Sequence, residues 1–246
     1  MSFSIISDKL RQLKFIGMLK SFEIQQHNTL YDSMSFEDRL NLLLTEEIND
    51  RENRKLARLL KTAKLKYSNA CYEEIDFSPK RGLDRQLIAN LSTCNWVKNN
   101  QNLFLMGATG CGKTWLASAL GNLAARNGFS VLYKRMPILF EMLEIAHADG
   151  SLPKLRQQLS KCDVLILDDW GLAPLNQTTR HDLLEIIEHR SPHSALIITS
   201  QLPIKEWHYY IGDPTIADAI LDRIVHKAHQ VNLKGESMRK ILNNKN

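Results

Sequence analysis

Four cysteines, Cys71, Cys94, Cys111 and Cys162, are scattered through 246 residues, and no two form a C-x-x-C pair. That spacing argues against a disulfide framework and against a zinc site, and it suits a reducing cytosol. Long hydrophobic runs are missing as well. The longest apolar stretches, such as residues 164–167 and 195–198, are strand-sized and end in polar residues, which speaks against a membrane-spanning helix. Asp8, Lys9, Arg11 and Lys14 interrupt the N-terminal region, so it lacks the continuous apolar core of a signal peptide. There is no internal repeat and no low-complexity tract. The charge imbalance is small, +5 at pH 7, which permits nucleic-acid binding without requiring it. These absences leave a soluble, cytoplasmic protein with no membrane partner, long enough for one α/β core and an accessory segment.

The first third reads as helical. Ser7 is placed to cap a helix, with Leu10, Leu13, Gly17, Leu19 and Phe22 following at roughly helical spacing. Ser35-Phe36-Glu37-Asp38 is a clearer start signal. No Gly or Pro interrupts residues 36–66, so one long helix or a tight helical pair is expected there. Residues 67–82 carry turn signals in Ser68-Asn69, Ser78-Pro79 and Gly82. They divide a helical N-terminal domain, residues 1–70, from a second domain, residues 71–246. Beyond them strands and helices alternate: strands at 102–106, 129–134, 164–169, 195–200 and 230–233, and helices at 114–126, 137–147, 154–160, 178–189 and 214–228. Such alternation predicts a parallel sheet covered on both faces.

Residues 107–114 spell G-x-x-x-x-G-K-[ST]: Gly107, Ala108, Thr109, Gly110, Cys111, Gly112, Lys113 and Thr114. Glycines let the backbone curl so that successive N–H groups face phosphate oxygens. Lys113 reaches the β and γ phosphates, and the Thr114 hydroxyl suits Mg²⁺. The helix that follows, through Trp115, adds its positive dipole end. The nucleotide expected is ATP. A second motif, Val164-Leu165-Ile166-Leu167-Asp168-Asp169, is a buried strand ending in two acids. It would set Asp168 beside the loop to hold Mg²⁺ and leave Asp169 to activate water. Gln201 ends the strand at 195–200, where it would contact the γ phosphate or water, or else close an ordinary turn. Arg223, on a predicted helix, reads by itself as a salt-bridged surface arginine. A basic run puts Arg51, Lys55 and Arg58 on one helical stripe and Arg54, Arg58 and Lys61 on the next. It would track nucleic-acid phosphates without sequence preference, or form a solvated face docked through its leucines. Lys134, Arg135, Lys154 and Arg156 are weaker candidates for the same role.

Six segments together resemble one family. They are the phosphate loop, Leu167-Asp168-Asp169-Trp170-Gly171-Leu172, Ile197-Ile198-Thr199-Ser200-Gln201-Leu202-Pro203, Gly212-Asp213-Pro214-Thr215, Leu221-Asp222-Arg223-Ile224 and Lys234-Gly235-Glu236-Ser237-Met238-Arg239. In order and spacing they are similar to the IstB family of insertion-sequence helper ATPases, relatives of the DnaC-type helicase loaders. The resemblance implies an AAA+ P-loop core, a three-layer sandwich, preceded by the small helical domain for DNA or partner contact. It implies a homo-oligomer assembled with ATP on double-stranded DNA, and a cognate transposase as partner. Carried over by position, Gln201 becomes a sensor residue and Arg223 an arginine finger acting on a neighbouring subunit. Asp169 stands where many AAA+ proteins carry Glu. The short segment after the last strand implies a reduced or absent lid, with Arg239 as the candidate lid arginine. A helicase loader and a nucleotide-gated scaffold with little turnover are the rival readings.

Overall fold

The computed structural model describes residues 2–235. The chain divides into two compact units, Met1–Arg58 and Leu59–Asn246.

In the first unit, α1 (Ser2–Gln12) and α2 (Ile16–Gln26) are separated at Lys14, whose φ of 58° interrupts the helical path. Ser7 caps nothing. It lies inside α1 with its side chain buried, because the helix begins earlier than the polar spacing suggested. Ser35 does cap α3 (Phe36–Ala63): its Oγ accepts the Asp38 N–H at 3.1 Å and donates to the Asp38 carboxylate at 2.8 Å. At Gly17 α2 lies against the α3 backbone, since a Cβ there would stand 2.7 Å from the Glu47 Cα. Glu47 then caps α2 from α3, accepting the N–H groups of Gly17 at 2.8 Å and Met18 at 3.2 Å. Burial disfavours the Glu47 charge. The Arg51 side chain and the two N–H groups outweigh it and hold its pKa below the ordinary carboxylate value.

The second unit takes in the last turn of α3, and Lys64 with φ 50° ends that helix. Two short helices, α4 (Arg85–Ser92) and α5 (Asn95–Lys98), precede the sheet. Asp84 caps α4 by accepting from the Gln86 and Leu87 N–H groups. Then β1 (Asn102–Met106), α6 (Lys113–Arg126), β2 (Val131–Arg135), α7 (Met136–Asp149), α8 (Leu152–Lys161) and β3 (Val164–Trp170) follow. The chain continues through α9 (Gln177–Arg190), β4 (Ala195–Ser200), α10 (Trp207–Ile211), α11 (Pro214–Val225) and β5 (Ala228–Asn232). All five strands are parallel, in the order β2-β3-β4-β1-β5. The expected α/β architecture is present.

Strand alternation explains why these runs are apolar throughout. Phe104, Leu132, Leu165, Leu167, Leu196 and Ile198 face one core, with Leu139, Leu183 and Ile220 from α7, α9 and α11. Leu103, Leu105, Val131, Val164, Ile166 and Ile197 face the other, with Leu116 and Leu120 of α6 and Ile88 of α4. A strand buried on both faces has no solvated side to mark with polar residues. Among the described residues, no helix is long and apolar enough to cross a membrane. Glu236-Ser237-Met238-Arg239, and with it the lid candidate Arg239, lies outside the described residues.

Candidate functional site

β1 delivers the chain to the glycine loop at the carboxyl edge of the sheet, and α6 begins at Lys113. Gly107, Gly110 and Gly112 have φ values of 151°, 81° and 93°, a curl that β-carbons would oppose. The Lys113 ammonium lies back across this curl, donating to the carbonyls of Gly107 at 2.7 Å and Ala108 at 2.9 Å. Burial pushes its pKa down, while the neighbouring Cys111, Asp169 and Asp168 work the other way. Cys111 is buried, and Trp115 lines the cavity over the loop.

Asp168, at the end of β3, is fully buried. Three neutral hydroxyls donate to it: Thr114 at 2.8 Å and Thr199 at 2.6 Å to Oδ1, and Tyr133 at 2.6 Å to Oδ2. Burial and the bond to Asp168 push the Tyr133 pKa up, keeping it a donor. Thr114 and Asp168 thereby set two hard oxygen donors together at the mouth of the loop. That donor set fits Mg²⁺, which typically binds through one or two carboxylates plus substrate phosphates and waters. Among the described residues no group of three or more His, Cys, Asp or Glu side chains is placed to hold a metal.

Asp169 departs from the strand. Its φ is 65°, and the register with β4 shifts between Leu167 and Trp170. A left-handed conformation at a non-glycine residue costs roughly 1–2 kcal/mol. Thr199 Oγ1 accepts the Asp169 N–H at 3.0 Å, and Trp170 is locked beyond it against Trp207 with ring centroids 5.2 Å apart. The bulge leaves Asp168 facing inward and turns Asp169 into the cavity, where Arg135 pairs with its Oδ2 at 2.7 Å. Gln201 follows β4 and accepts from the Thr109 hydroxyl at 2.6 Å.

These groups surround one cavity of about 640 Å³, lined by Thr109, Lys113, Thr114, Arg135, Asp169 and Gln201. Its remaining wall comes from a segment that reads in sequence as a boundary: Lys66, Tyr67, Glu74, Asp76 and Arg81. Turn signals at Ser68-Asn69 and Ser78-Pro79 describe that segment's local shape and carry no sign of what it covers. Tyr133 also escaped a reading by motif, and Thr199, though inside a family segment, was given no role there. Their alternation within strands is ordinary, and only the sheet order brings them to Asp168.

The remaining candidates lie elsewhere. Arg223 is outside the cavity lining, paired with Glu188 at 2.8 Å and bonded to the Ala219 carbonyl. On α3, Arg51 pairs with Glu47 at 2.7 Å and Arg54 with Asp50 at 2.7 Å. Lys55, Arg58 and Lys61 are exposed. Lys134 is buried, its ammonium 3.4 Å from the Met142 sulfur, so it is withdrawn from the surface a duplex would meet. Arg156 is tied to the buried Asp182 at 2.8 Å and lies 3.7 Å from Glu185. Lys154 is exposed. Arg135, grouped with these by charge alone, belongs to the nucleotide-sized cavity.

Residues 8–246 match the family described as IstB-like ATP binding protein. The y4pL insertion sequence ATP-binding protein of Sinorhizobium fredii is 48% identical over 233 residues, 95% of each chain. The IS1162 ATP-binding protein of Pseudomonas fluorescens is 51% identical over 195 residues, 79% of this chain and 84% of its own. Among solved structures, DnaI aligns with a TM-score of 0.58 at 21% identity, over 72% of this chain and 94% of its own. The DnaC helicase loader aligns at 0.54 and 19% identity, over 68% and 98%. At such identities the likeness is one of fold, the AAA+ arrangement expected from the motifs.

Proposed function

Because this chain belongs to the IstB-like family of ATP-binding proteins, we propose that it is an ATP-driven helper of transposition that assembles on duplex DNA and serves a transposase. The observation that carries the ATPase part is the contact between Thr114 and Asp168, 2.8 Å, with Asp169 turned into the same cavity. Loop and strand end meet where a triphosphate terminus would lie.

In this reading Lys113 exchanges its two carbonyl partners for phosphate oxygens, a better match for a buried cation. Thr114 and Asp168 would hold Mg²⁺, whose charge would offset that of the phosphate oxygens. Asp169 accepts the proton of the attacking water while the water oxygen bonds to the γ phosphorus and the bond to ADP breaks. Arg135, paired with Asp169 Oδ2 at 2.7 Å, keeps that carboxylate oriented. Gln201, held by Thr109, positions the water. Arg223 lies outside its own subunit's cavity and serves a neighbour's, which makes activity depend on oligomerisation. Exposed Lys55, Arg58 and Lys61 contribute DNA contacts that are electrostatic and indifferent to sequence.

Lys113→Ala tests the reading directly. Duplex binding should be strong with ATP and weak with ADP in the natural protein, and should lose that nucleotide dependence in the variant. Unchanged ATP-dependent binding by Lys113→Ala would sink it.

A further inference from the structure

Of the charged wall residues that the proposed mechanism leaves unused, Lys66, Glu74, Asp76 and Arg81, it is Arg81 that is buried. It ends a single 3₁₀ turn, Pro79–Arg81, and the next residue, Gly82, has a φ of 63°. That turn is tied to the far end of the chain, since the Arg81 carbonyl accepts the Lys234 N–H at 2.9 Å. The side chain runs inward and is only 8% exposed. Its Nη2 comes within 2.7 Å of where a Cβ on Gly112 would stand, so the guanidinium lies against the phosphate loop itself.

Its Nε and Nη1 are buried, and neither has a hydrogen-bond partner among the described residues. Asp76, which shares the cavity wall, feels the Arg81 charge. Its carboxylate is nonetheless committed to Ser78, accepting from the N–H at 2.8 Å and from Oγ at 3.1 Å. A buried guanidinium with two idle donors is costly unless an anion completes it. The surface it faces is built to receive an anion: the glycine loop and the start of α6.

The geometry points to Arg81 as a phosphate-binding residue for the nucleotide, reaching the loop from the segment that precedes the sheet. Arg81 abuts Gly112, whereas the hydrolytic groups Asp169 and Gln201 are held elsewhere, by Arg135 and Thr109. The contact therefore falls on the part of the phosphate chain common to ATP and ADP. This inference rests on the ATP-binding reading of the cavity.

The test is calorimetric titration of the full chain with ATP and with ADP, alongside thermal unfolding without nucleotide. Arg81→Met should weaken both nucleotides about 10- to 100-fold, the value of losing hydrogen bonds to a charged group. Arg81→Lys should recover part of the loss, since it restores charge without the planar fork. Without nucleotide, Arg81→Met should unfold at the same temperature as the natural protein or higher, because an uncompensated buried charge is gone. A residue that merely held the segment in place would instead lower that temperature. Unchanged affinity, a loss confined to ATP, or a destabilised nucleotide-free protein would each overturn the assignment. Lys113→Ala separates the two ideas. If it loses ATP while Arg81→Met binds normally, only the Arg81 inference fails; if the natural protein binds no ATP, both fail.

Discussion

Removing one oxygen from Tyr133 isolates the part of the site that holds Asp168. In Tyr133→Phe the ring still fills its half-buried place beside the sheet, and only the hydroxyl is lost. That hydroxyl donates to Asp168 Oδ2 at 2.6 Å. Asp168 is 0% exposed, so bulk water cannot replace the donor without opening the structure. A hydrogen bond to a charged group contributes about 1.5–3 kcal/mol. For a unit of roughly 150–250 residues each kcal/mol moves the midpoint by about 2–4 °C, so a fall of about 3–12 °C is expected. The transition to follow is the one that ATP raises in the natural protein, because it reports the unit containing the cavity. The remaining donors, Thr114 and Thr199, both serve Oδ1, so neither can stand in at Oδ2. A shift smaller than about 1 °C would refute the reasoning, for it would mean that Asp168 never depended on the tyrosine.

Gly112→Ala should lose most ATP affinity in the same titration while the chain still folds. The new methyl meets the Arg81 guanidinium at 2.7 Å, and φ there is 93°; ATP affinity equal to the natural protein would contradict this. Glu47→Gln should destabilise the first unit by about 1–2 kcal/mol at pH 7, measured by denaturant unfolding. The folded Glu47 pKa lies below its ordinary 4.5. Its contribution is therefore complete above that value and disappears as pH falls through the folded pKa, so variant and natural protein should converge in acid. Curves that stay parallel down to low pH would count against this.

The phosphate loop was legible because its requirements are local. Glycines at 107, 110 and 112 supply backbone angles that other residues resist, and Lys113 and Thr114 follow on the helix they start. Asp168 was legible because four apolar residues ending in an acid describe a buried strand reaching an edge. What escaped depends on contacts across long separations. Tyr133 and Thr199 reach Asp168 only once β2 and β4 flank β3. Arg81 lies on a segment whose turn signals conceal that it covers the loop. The acids that share the basic stripe on α3 were passed over for a related reason: Glu47 and Asp50, one turn back, pair with Arg51 and Arg54. Ser7 failed as a cap because α1 already begins at Ser2, which leaves Ser7 in the helix interior.

The order β2-β3-β4-β1-β5 has a consequence for synthesis on the ribosome. β1 is made before the other strands, yet its two neighbours, β4 and β5, are the last two made. The loop that follows β1 is anchored on both sides by latecomers: Gly107 donates its N–H to the Ser200 carbonyl, and the Leu233 N–H bonds to the Met106 carbonyl. A nascent chain lacking residue 233 therefore carries the whole glycine motif without a settled frame to shape it. Capture of nucleotide is therefore expected only once β5 has been made, and a copy terminated before residue 233 should fail to retain ATP.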